Sequence, residues 1–124
     1  MILIITGDRK WKNRPKIGKE IHRRRKKVNL LIQGGAEGAD LIADDYAKLL
    51  GIPTAQFDAN WPFHRRAAGP IRNYNQLKFG MACAEALKEQ LVVLAFHSNI
   101  KKSKGTKNMI EQARKKKVLV KIIK

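Results

Sequence analysis

Five short apolar runs punctuate the chain: ILIIT (2–6), NLLIQ (29–33), TAQF (54–57), LVVLAF (91–96) and VLVKII (118–123). Three of them are nearly continuous in Val, Ile and Leu, the pattern of strands buried on both faces. Between them the period changes from two to 3.6. Ala39, Ile42, Ala43, Tyr46, Ala47 and Leu50 form one apolar stripe, stopped by Gly51 and followed by Pro53. Leu77, Gly80, Met81, Ala84 and Leu87 predict a second helix, and Met109, Ile110 and Ala113 a short last one. Ile17 and Ile21, behind Pro15, give a weaker stripe.

Strands that alternate with helices make right-handed βαβ units and a parallel sheet. Five strands and four helices predict an α/β fold: a Rossmann-like three-layer α/β/α sandwich with a five-stranded, mainly parallel sheet in order 3-2-1-4-5. A chain of 124 residues fits a single domain, 1–124. Ligands of such sheets bind beyond the carboxyl ends of the strands, where the order reverses. That point lies between strands 1 and 4. The loops TGDRKW, GGAEGAD and HSNIKKSKGTKN are expected there, and they are the most polar and glycine-bearing of the chain.

GGAEGAD, Gly34 to Asp40, occupies the position of a phosphate loop. Gly34 and Gly35 would let the backbone approach a ligand with positive φ, and Gly38 would let the helix start pack on the sheet. The free amides of that first turn would then face an anion. The spacing is neither GxGxxG nor a P-loop, which needs GK[ST]. Glu37 or Asp40 would equally satisfy those amides from within, leaving a self-capped turn. Alternatively, Asp40 would accept from a ribose hydroxyl. In WPFHRRAAGPIRN, Trp61 to Asn73, three arginines offer planar forks for phosphate, and Trp61 or Phe63 a surface for a base; the plainer reading is a basic loop around a buried Trp. In KGTKN, Thr106 is the expected N-cap of the last helix.

Charge adds a polyanion to the picture. A net +17 exceeds what solubility needs and attracts nucleotides, nucleic acid or phosphorylated metabolites, although a solvated basic surface gives the same number. HRRRKK (22–27) and ARKKKVLVK (113–121) read first as cations at helix C-termini. No apolar run nears about 18 residues, so no membrane partner is expected. MILIIT reads as a first strand and not a signal peptide. One cysteine, Cys83, fits a reducing cytoplasm and a half-buried helix position. His22, His64 and His97 are scattered, and no metal site is expected.

Taken in order, TGDRKW, GGAEGAD, D-x-x-W (Asp58–Trp61), AAGPIRN (Ala67–Asn73) and KGTKNMI resemble the SLOG superfamily, the group of DprA/Smf and the LOG proteins. The likeness is to its small stand-alone, YspA/YpsA-related branch. It implies a Rossmann-like domain that binds a nucleotide or a nucleotide-derived, ADP-ribose-like ligand, as a sensor or sequestering module. It places the ligand on Gly7, Asp8, Arg9, Gly34, Gly35, Ala36, Glu37, Gly38, Asp40, Arg72, Asn73, Gly105 and Thr106. A homodimer and, through DprA, contact with nucleic acid are further implications.

The LOG branch also contains phosphoribohydrolases, whose PGGxGTxxE motif carries a glutamate for N-glycosidic cleavage. Aligned on Gly105 and Thr106, that position here is Met109, and residues 100–104 lack the PGG turn. Glu111 falls two residues later, about 200° around the helix. A nucleotide N-glycosidase would therefore draw its carboxylate from Asp8, Glu37, Asp40 or Glu111.

Overall fold

The computed structural model describes residues 1–124. Five strands, β1 (Ile2–Gly7), β2 (Leu30–Gln33), β3 (Thr54–Gln56), β4 (Leu91–Phe96) and β5 (Leu119–Ile123), lie within a residue or two of the five apolar runs. They form one sheet in the order β3-β2-β1-β4-β5. Every pairing is parallel, and Ile4 of β1 stands between Ile32 of β2 and Val93 of β4. The expected fold class and strand order are thus those observed.

Alternate residues of β1 serve opposite faces, as the pleat requires. Leu3 and Ile5 join Ile17 and Ile21 of α1 (Arg14–Arg24) and Ile42, Ala43 and Ala47 of α2 (Ala39–Leu49). Ile2 and Ile4 join Leu77 and Ala84 of α4 (Ala68–Leu87) and Met109 and Ala113 of α5 (Gly105–Lys115). Burying each such Ile or Leu contributes about 1.5–3 kcal/mol. Asn13 starts α1 by accepting from the Lys16 amide at 3.3 Å, with Pro15 in the first turn, where its missing N–H costs nothing.

Two details differ from the sequence reading. The stretch after Trp61 is not an open loop. It forms the single turn α3 (Trp61–His64), a 3₁₀ turn (Arg65–Ala67) and then α4, which starts nine residues before Leu77. Arg72 and Asn73 therefore stand on the first turns of a long helix. The buried face of α4 is Asn73, Gln76, Leu77, Gly80 and Ala84, whereas Met81 and Leu87 are exposed. Met81 lies about 90° from the centre of that face, and Leu87 is the last residue of the helix. The outer side of α4 consequently shows Tyr74, Phe79 and Met81 to solvent. No helix is long and apolar enough to cross a membrane.

Candidate functional site

The loops after β1, β2 and β4 meet Arg72 of α4 at the carboxyl edge of the sheet. They enclose a cleft with two lobes. One, of about 470 Å³, is lined by Gly34 to Glu37, Asp58 and Ala59. The other, of about 430 Å³, is lined by Thr6 to Lys10, Asp40, Gly69, His97 and Lys102 to Thr106. Arg9, Ala36, Trp61 and Arg72 border both.

The glycine loop takes its shape from hydrogen bonds made inside the protein. Gly34 N donates to Asp40 Oδ2 at 3.0 Å, and Ala36 N to the same oxygen at 3.4 Å. Gly35 N donates to Gln33 Oε1 at 2.5 Å. Gln33 in turn donates to Gln56 Oε1, and Gln56 to Asp58 Oδ1, each at 2.8 Å. Asp40 thus satisfies amides of its own loop, but Gly34 and Ala36 precede α2, whose first turn has no side-chain cap, so this differs from the self-capped helix start expected as one alternative. Positive φ falls on Gly35 (74°) and Gly38 (76°), and Gly34 is not among the left-handed residues. Gly34 is small for another reason: a Cβ there would sit 2.5 Å from Arg72 Nη1 and 3.0 Å from Asp40 Oδ2. Gly38 packs on the backbone of Asp8 and Arg9 in the β1–α1 loop, not on the sheet itself.

Burial dominates the electrostatics. Asp40 is 5% exposed, and desolvation pushes its carboxyl up to about 6. The Arg72 charge, the two loop amides and the Arg9 charge act against that rise. Desolvation likewise draws the Arg72 guanidinium below its usual range, opposed by Asp40. Arg72 Nη1 donates to Gly34 O at 2.9 Å and its Nε to Asn73 Oδ1 at 3.0 Å. The Arg9 guanidinium lies 5.6 Å from the centre of the Trp61 ring, which is 46% exposed and not the buried Trp of the plainer reading.

Most of the thirteen expected ligand residues do converge. Gly7, Asp8, Arg9, Gly34, Gly35, Ala36, Glu37, Asp40, Arg72, Gly105 and Thr106 line the cleft. Gly38 instead faces an adjoining groove beside α2. Asn73 is buried and ties α4 to α5, donating to Gly105 O at 3.2 Å and Asn108 Oδ1 at 3.1 Å. Thr106 is not the cap of α5. The helix begins one residue earlier, and Ser103 Oγ accepts from the Thr106 amide at 3.0 Å. Lys104, which opens the KGTKN stretch, lines the cleft, whereas Gln33, Gln56, Lys102 and Ser103 were not singled out from the sequence. The one available signal was Gln33, a polar residue ending an otherwise apolar strand. Met109, at the LOG glutamate position, is wholly buried in the core, and Glu111 is exposed and does not line the cleft.

Fold and cleft together define a Rossmann-like α/β protein with a polar cleft at the switch point of its sheet. The family model described as YspA, cpYpsA-related SLOG family matches residues 1–64. The gene 61 protein of Mycobacterium phage D29 is 30% identical over 122 residues, 91% of this chain and 88% of that protein. The X-ray structure of DNA processing protein A (DprA) from Streptococcus pneumoniae superposes with a TM-score of 0.55 over 96% of this chain, at 14% identity. This chain spans 57% of that DprA chain, and the likeness is one of fold. The chain belongs to the YspA, cpYpsA-related SLOG family. Membership suggests a nucleotide-related function.

Proposed function

We propose that the protein binds a nucleotide or a nucleotide-derived, ADP-ribose-like ligand in the cleft at the carboxyl edge of the sheet, as a sensing or sequestering module. One observation carries the reading: three strand-to-helix loops and Arg72 converge on one polar cleft whose cations Arg9, Lys10, Arg72, Lys102 and Lys104 form no ion pair. The α5 N-terminus lies in the same wall, through Gly105 and Thr106, and such an end contributes about 0.3–1 kcal/mol toward an anion. A micromolar complex needs 8.2 kcal/mol, so the arginines and lysines must supply the larger share. Asp40 is the acceptor for a ribose hydroxyl in this reading, on the oxygen capacity left by the Gly34 and Ala36 amides.

Native mass spectrometry with AMP, GMP, ATP, NAD and ADP-ribose tests the reading. A retained adduct that Gly35→Val abolishes is the expected result, because valine is strained at φ 74° and its Cβ would run into Asp58. No adduct from any panel member sinks it. A product mass growing with time would instead favour the nucleotide N-glycosidase.

A second reading has its own support. Lys10, Lys12, Lys16 and Lys124 line a groove of about 250 Å³ that shares Asp8 and Lys10 with the cleft, and the exposed Trp61 borders the cleft, with Phe63 exposed two residues on. Cations with exposed aromatics suit single-stranded nucleic acid. DNA binding with a salt slope of about −0.7 per phosphate, unchanged in Gly35→Val, would establish this rim as a separate surface. The exposed Tyr74 and Met81, on one flank of α4, support the homodimer that the family resemblance implies, which analytical ultracentrifugation tests directly.

A further inference from the structure

The two lobes of the cleft differ in charge, and Arg9 with Trp61 stands at the boundary. Outside the shared border, the lobe over α5 carries Lys10, Lys102 and Lys104 against two carboxylates, Asp8 and the buried Asp40. The lobe over the glycine loop carries only carboxylates there, Glu37 and Asp58. Neither forms an ion pair. Asp58 accepts from Gln56 through Oδ1 at 2.8 Å, which leaves most of its acceptor capacity open. A phosphate would be repelled from this second lobe and drawn to the first. The second lobe suits hydrogen-bond donors.

Resting on the binding reading above, we propose that the cleft selects a nucleotide whose base presents two adjacent N–H donors, the guanine pattern, to Asp58. The phosphate lies in the lysine lobe. The base lies against the face of Trp61 that Arg9 leaves open, and its pairing edge meets the carboxylate. Guanine offers N1–H and the exocyclic amine side by side, matching the two oxygens of one carboxylate. Hypoxanthine offers N1–H alone, and adenine places an acceptor at N1.

The test compares GMP, IMP and AMP by calorimetry on the full chain and on Asp58→Asn, whose amide oxygen can still accept from Gln56. The expected order is GMP tightest, with IMP and AMP weaker by about tenfold or more, the scale of one hydrogen bond to a charged group. In Asp58→Asn, GMP affinity is expected to fall to that of IMP, with IMP changing less. Equal affinity for all three nucleotides in the native protein overturns the base selection and leaves the pocket intact. An equal loss for all three in Asp58→Asn assigns Asp58 to loop structure alone and also overturns it. No binding of any nucleotide overturns the pocket reading itself.

Discussion

The Asp40 carboxylate and the Arg72 guanidinium hold the same residue from opposite sides. Gly34 N donates to Asp40 at 3.0 Å, and Arg72 donates to Gly34 O at 2.9 Å. A single peptide segment thereby links α2, the glycine loop and α4, and it leaves no room for a side chain at Gly34. The shape of the cleft depends on this arrangement, and so does its response to pH.

Asp40 should make the protein less stable as pH rises through mild acidity. Its pKa is 3.8 in an open chain and about 6 in the fold. Between those values the folded protein keeps a proton that the unfolded chain has released. Stability therefore falls as pH rises, and the loss is complete above about pH 6. Two units correspond to about 3 kcal/mol. Urea unfolding of the native protein and of Asp40→Asn across pH 3.5–7 checks this. The difference between the two should change steeply within that window and stay flat outside it.

Arg72→Ala should cost both stability and anion binding. It removes a charged hydrogen bond to Gly34 O, worth about 1.5–3 kcal/mol, and it leaves Asp40 without its principal opposing charge. Arg72→Lys should recover little, because a point ammonium cannot bond Gly34 O and Asn73 together as the planar fork does. Thermal unfolding and nucleotide titration of the two variants provide the comparison.

Asn73→Ala separates positioning from contact. Asn73 is buried, faces α5 and does not line the cleft. Its loss should lower stability by about 1–3 kcal/mol by leaving Gly105 O and Arg72 Nε without that partner. Nucleotide affinity should drop less than in Arg72→Ala. A larger drop would place Asn73 in the binding surface itself.

Gly38→Ala should shift the β1–α1 loop. The added Cβ meets the Asp8 and Arg9 backbone, which cannot move aside as a flexible side chain can, and φ at this position is 76°. The penalty should be about 1–3 kcal/mol. Gly105→Ala is the control, since a Cβ there meets nothing within 4 Å. Its stability should remain within about 0.5 kcal/mol of the native protein.

The sequence by itself determined the architecture. Near-continuous Val, Ile and Leu runs have few ways to be buried other than as central parallel strands, and the stripes of α2 and α5 fix which faces meet them. The order β3-β2-β1-β4-β5 places the loops after β1, β2 and β4 at one edge, so eleven of the thirteen expected residues line one cleft. Tertiary structure alone decided what each residue does there. Whether Asp40 turns to the solvent or to its own loop depends on where Gly34 N and Arg72 end up, and Arg72 comes from a helix 38 residues beyond Gly34. Thr106 does not cap α5, because the helix starts at Gly105, two residues earlier than a Thr106 cap requires, and the Thr106 amide donates to Ser103 Oγ instead. Asn73 turned inward because the first turns of α4 pack against α5, a contact between segments more than 30 residues apart. Local pattern encodes burial and period, whereas hydrogen-bond partners distant in sequence are chosen only when the layers meet.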